Sequence, residues 1–169
     1  MKQFYALHCP IDLCPVQRSR LDISFEGIAE VYRVLFAQER KRLDHGLDAT
    51  PLPLLRYQGK EVARKLGFFD FDASLYDGVA DFVHEKVSAF RDLGLSEEKP
   101  YDIPKGVIIK NVTTLFEGGY LFLPWLGYIK ILGLQFDGFS LPIHEAIIRR
   151  ENGNYSLFIL IRADASSAA

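Results

Sequence analysis

Apolar and polar positions change period along this 169-residue chain, dividing it into a helical first part and a strand-forming second part. Between Ser24 and Asp44, Phe25, Ile28, Ala29, Tyr32, Leu35, Phe36 and Leu43 fall on one helical stripe. Glu26, Glu30, Arg33, Arg40 and Lys41 fall elsewhere. That spacing predicts an amphipathic helix with Ser24 as N-cap. Arg40, Lys41 and Arg42 sit at the end where the helix dipole favours cations, and Gly46 supplies a left-handed stop. Residues 48–57 read as a connector held by Pro51 and Pro53, followed by a short helix from Lys60 to Leu66 that Gly67 ends. Asp72 is expected to cap a second long helix, Ala73 to Leu93, which buries Leu75, Val79, Phe82, Val83, Phe90 and Leu93.

The strand pattern begins with a short run from Lys2 to His8, which Pro10 and Pro15 should end while keeping the following residues extended. It resumes at Gly106 with the Val/Ile/Thr-rich run from Val107 to Phe116. Glu117-Gly118-Gly119 then turns the chain into Tyr120–Phe136, which Pro124, Gly127 and Gly133 should break or bend. Asp137-Gly138 is a further turn signal. The clearest feature is the final ribbon, Ile143 to Asp164, reversing at Asn152-Gly153, since both residues accept the positive φ of a type I′ turn. This turn pairs Glu151 with Asn154, Arg150 with Tyr155, Ile148 with Leu157, Ala146 with Ile159 and His144 with Ile161. The last four pairs, from Arg150 with Tyr155 to His144 with Ile161, share the core-side face. Ile143, Glu145, Ile147, Arg149, Ser156, Phe158, Leu160 and Arg162 share the other.

Helices followed by antiparallel strands imply an α+β fold, with the N-terminal helices packed on one face of a mainly C-terminal antiparallel sheet. With no linker and no internal repeat, residues 1–164 are expected to form a single domain and 165–169 a disordered tail. The composition, 49% hydrophobic with 13 Phe and 8 Tyr, supplies a substantial core. A net charge of −2 argues against a nucleic-acid footprint. The run from Tyr120 to Phe136 is short and interrupted for a membrane span, so a buried strand is expected and no membrane association. Lys2-Gln3-Phe4 leads into Pro10 and Asp12, not into an apolar leader, and the expected address is cytoplasmic.

Motifs for phosphate loops, nucleophile elbows and zinc proteases are absent, and no cofactor is expected. Cys9 and Cys14 each precede a proline. These Cys-Pro dipeptides resemble axial haem ligands of haem-sensing segments, a resemblance confined to two residues at each place. His8, Cys9 and Cys14 lack the spacing of a closed zinc site, so no metal is expected, and structural thiols are the plainer reading.

Two other groups invite function. On the second long helix Asp77, Asp81 and Glu85 are successive i, i+4 neighbours beside His84, an exposed acid line that would repel itself. The first expectation is therefore a small soluble binding protein, of inhibitor, immunity or adaptor type, docking a basic protein partner on that line. The alternative is an aromatic-lined pocket in which His144, with Tyr120, Tyr128 and Tyr155, binds or isomerises an apolar small molecule. There His144 would be base or hydrogen-bond donor. His144 and Glu145 cannot act as a pair in one pocket, since neighbours in a strand point to opposite faces.

Overall fold

The computed structural model describes residues 3–68, 73–93, 106–117, 119–123, 125–133 and 140–163. The α+β class is as the sequence pattern indicates. Strand β1 (Gln3–Asp12) leads into helices α1 (Pro15–Asp44), α2 (Leu52–Lys65) and α3 (Ala73–Leu93). Strands β2 (Gly106–Glu117), β3 (Tyr120–Leu123), β4 (Gly127–Ile131), β5 (Ser140–Glu151) and β6 (Asn154–Ala163) follow. Two compact units result: residues up to Ile23 together with those from Gly106 onward, and residues Ser24–Lys105. The sequence shows no linker at the first crossing because it falls inside the continuous helix α1.

In the first unit the strands close into an antiparallel barrel in the order β1-β4-β3-β2-β5-β6, with β6 returning to β1. Closure depends on two long strands that change partner along their length. β1 lies against β6 from Gln3 to Pro10 and against β4 at Ile11 and Asp12. β2 lies against β5 from Gly106 to Leu115 and against β3 at Phe116 and Glu117. The ring of pairings closes through two short contacts, β1 with β4 at Ile11 and Asp12 and β2 with β3 at Phe116 and Glu117.

Alternation along the strands sorts inside from outside. Cys9, Ile11, Leu121, Leu123, Ile129, Ile131, Ala146, Ile148, Leu157 and Ile159 are buried. The final reversal occurs at Asn152 (φ 50°) and Gly153 (φ 78°), with Arg150 facing Tyr155, Ile148 facing Leu157 and Ala146 facing Ile159, as the turn chemistry requires. The run beginning at Tyr120 is divided into β3 and β4, with Trp125 and Leu126 in the turn between them. The expected turn at Asp137-Gly138 and the tail from 165 lie outside the described residues.

Four expectations about element ends need correction. Pro10 lies within β1, which continues to Asp12; its missing N–H is tolerated there while its carbonyl accepts the Leu132 N–H at 2.9 Å. Pro15 is the first residue of α1, not an extended stop, because a helix's first N–H has no intrahelical acceptor and proline lacks only that group. The Cys14 carbonyl accepts from the Arg18 N–H at 3.0 Å, and the Cys14 N–H donates to Gln17 Oε1 at 3.1 Å, the reciprocal half of a capping box. Ser24 is thus a buried mid-helix residue rather than a cap. The same proline logic starts α2 at Leu52, so residues 52–57 are helical where a connector was expected.

The first turns of α1 belong to the barrel unit. Gln17 Nε2 donates to the carbonyls of Leu126 at 3.1 Å and Tyr128 at 2.6 Å, and Arg20 reaches the Trp125 carbonyl at 3.3 Å. Asp22 Oδ1 accepts from both Arg150 and the Tyr155 hydroxyl, each at 2.7 Å. Arg150 therefore sits on the core-side face without an orphaned charge. Burial and the Asp22 carboxylate raise the pKa of the Tyr155 phenol.

In the second unit α2 is held between the later part of α1 and α3. A Cβ on Gly59 would stand 3.3 Å from Leu35 Cδ1 and 3.5 Å from the Tyr76 carbonyl, so hydrogen is the side chain that permits this approach. Buried Glu39 accepts two hydrogen bonds from Thr50, from its N–H at 2.9 Å and from its hydroxyl, fixing the α1–α2 connection. Tyr76 is 3% exposed, and burial pushes its phenol from 10.0 up to about 12. Below pH 10 both folded and unfolded chains keep that proton; above it only the unfolded chain releases it. Stability is therefore expected to fall by roughly 2–3 kcal/mol as pH rises from about 10 to about 12. Urea midpoints measured across that window should drop further in wild type than in Tyr76→Phe. Equal drops would remove Tyr76 as the cause.

Candidate ligand-binding site

The acid line on α3 is not an open face. Asp81 is buried, its side chain 7% exposed, and Arg56 of α2 grips it through Nε–Oδ1 at 2.7 Å and Nη2–Oδ2 at 3.0 Å. Asp77 lies 3.1 Å from Lys60 Nζ. The i, i+4 repulsion that the sequence implies is offset by two cations from the neighbouring helix. Glu85 remains exposed, and His84 is half-buried, with its Nδ1 in the interior. Helix-wheel spacing correctly places the carboxylates on one line; it cannot show that α2 supplies their counter-charges.

The residues of the expected aromatic pocket are likewise not gathered. Tyr120 and Tyr128 are on the outer face of the β3–β4 hairpin, 42% and 62% exposed, whereas Tyr155 is buried on the core side. Tyr128 packs against Phe122, ring centroids 5.1 Å apart. His144 does not pair with Ile161. The register steps from Ile143 opposite Ile161 to Glu145 opposite Leu160, leaving His144 as the extra residue of a β-bulge. Strict alternation fails at such a bulge, and the His144 side chain lies outside the described residues. The two thiols also diverge. Cys9 is 1% exposed, burial raising its pKa, and Cys14 is exposed at the start of α1.

A different site emerges on the outer wall of the barrel where β5, β6 and β1 run side by side. The register aligns Ile147, Phe158 and His8 in one row across the three strands, with Leu160 and Ala6 in the next. Alternation turns these residues outward, away from Leu7, Leu157 and Ile159. Ala6 is the short member of the group, and the wall is recessed there. The recess has a volume of about 450 Å³ and is lined by Ala6, Leu7, His8, Ile147, Phe158, Ile159 and Leu160. This lies within the roughly 300–1,000 Å³ of small-molecule sites.

Two polar side chains organise its rim through Phe158. The His8 imidazole stacks on the Phe158 ring with centroids 4.2 Å apart and planes 11° from parallel. From β5, the Arg149 guanidinium carbon stands 4.7 Å from the same ring centroid. A lining of hydrocarbon with one imidazole can bind and orient apolar surface. The signal was present in the sequence as the Ala6–His8–Pro10 parity of β1, but only the pairing of β1 with β6 brings it to Phe158.

No protein-family model matches the chain, and no curated protein matches it. Among the described residues, no helix is long and apolar enough to cross a membrane.

Proposed function

We propose that this protein is a binding module without chemistry of its own, holding an apolar small molecule in the recess on the outer wall of β5, β6 and β1. The observation that carries this reading is the 450 Å³ apolar recess beside the stacked His8 and Phe158 rings. Among the described residues Leu121, Ile129, Ile148 and Leu157 are buried on the inward face of their strands, whereas the recess is on the outward face. Docking of a basic protein on α3 has weaker support, since Asp77 and Asp81 already face Lys60 and Arg56.

The neutral fluorophore N-phenyl-1-naphthylamine provides a direct test. Ala6→Phe fills the recess from an exposed position and is expected to weaken binding at least ten-fold while the circular dichroism spectrum is unchanged. Tyr128→Ala, on the exposed aromatic surface of the β3–β4 hairpin, is expected to leave binding unaltered. Undiminished binding by the Ala6 variant, or loss in the Tyr128 variant, would move the site away from the recess.

A further inference from the structure

We propose that the molecule held in the recess is an amphipathic carboxylate, with its apolar body on the recess wall and its carboxylate on Arg149. This rests on the reading of the recess as a ligand site and adds the charge of the ligand to it. Arg149 is exposed, and among the described residues it has no acidic ion-pair partner; its guanidinium stands against the Phe158 ring. A guanidinium lying over an aromatic ring keeps its N–H donors in its own plane, so they remain open at the ring's edge. The stack also fixes the side chain before any ligand arrives, so that less rotamer freedom is lost when an anion is bound.

The neighbouring groups fit the same chemistry. His8 carries at least one N–H donor in every protonation state, and it lines the recess. Ser156, the cross-strand partner of Arg149, adds a hydroxyl on the same outward row. An apolar floor with a cation, an imidazole and a hydroxyl grouped around Phe158 is complementary to a chain or ring ending in a carboxylate. A cationic ligand would meet Arg149 as a like charge.

Calorimetric titration of the intact protein with octanoate and with octanamide, its uncharged isostere, reads the charge preference directly. Wild type is expected to bind octanoate at least ten-fold more tightly than octanamide. In Arg149→Gln the two affinities should converge through loss of octanoate binding, with Arg149→Lys intermediate because it keeps the charge and loses the planar fork. Equal binding of both probes by wild type would overturn the carboxylate assignment while leaving the apolar recess standing. Failure of octanoate and the neutral fluorophore alike would overturn both. An octanoate preference in Arg149→Gln as large as in wild type would place the anion elsewhere and overturn the role of Arg149.

Discussion

Leu157→Ala is expected to cost about 3–4 kcal/mol, within the range for truncating a fully buried leucine. Leu157 is 0% exposed and lies between Cys9 on β1 and Ile148 on β5, two strands separated by more than a hundred residues of chain. Because the barrel is closed, the surrounding strands cannot collapse onto the missing side chain without disturbing the hydrogen bonds on both sides, so most of the cavity should persist. The adjacent Ser156→Ala removes an outward hydroxyl and is expected to change stability by no more than about 0.5 kcal/mol. Guanidinium unfolding of the two variants, followed by circular dichroism, measures the contrast. A loss below about 1 kcal/mol for Leu157→Ala would mean that its face is not the barrel's interior.

The parity behind that contrast was legible in the sequence, and so was the reversal at Asn152-Gly153. Both depend on local chemistry: alternation along a strand and the tolerance of two adjacent residues for positive φ. The stripe on α3 was legible for the same reason, with Leu75, Val79, Val83 and Phe90 buried and Phe82 half-buried, while the Leu93 side chain lies outside the described residues. What the pattern could not supply was partnership at a distance. Closure requires β1, at one end of the chain, to insert between β6 and β4, and nothing in Gln3–Asp12 specifies two partners. The bulge at His144 is similarly invisible, because inserting one residue into one strand leaves its composition unchanged. Prolines misled for a more specific reason. Pro15, Pro51 and Pro53 stand at or beside helix starts, where a missing N–H costs nothing, and Pro10 sits in a strand at a position where only its carbonyl is used. The recess combines both kinds of information. Its outward parity is local, whereas the meeting of His8 with Phe158 and Arg149 is a product of the closed topology.

Counter-charge across helices has its largest consequence at Asp81. Arg56→Met is expected to destabilise the helical unit by about 2–3 kcal/mol, less than the roughly 3–5 kcal/mol for breaking a wholly buried pair because Arg56 itself reaches solvent. Its side chain is 41% exposed against 7% for Asp81, so the cost lies mainly in leaving the Asp81 carboxylate interior and without its bidentate donor. Replacing both, as Arg56→Met with Asp81→Leu, removes the buried carboxylate along with its lost donor and is expected to recover at least half of the loss. Lys60→Met should cost no more than about 1 kcal/mol, since the Lys60 and Asp77 side chains are 42% and 35% exposed and the pair is largely screened. The two models of α3 then separate sharply. A free acid face would tolerate simultaneous reversal of Asp77, Asp81 and Glu85 to lysine, and would gain from relief of repulsion. With Asp81 clamped by Arg56, that triple reversal sets a lysine against an arginine in the interior and should unfold the unit. Urea midpoints for the single, double and triple variants decide between them, and an undiminished midpoint in the triple variant would return α3 to the role of an open surface.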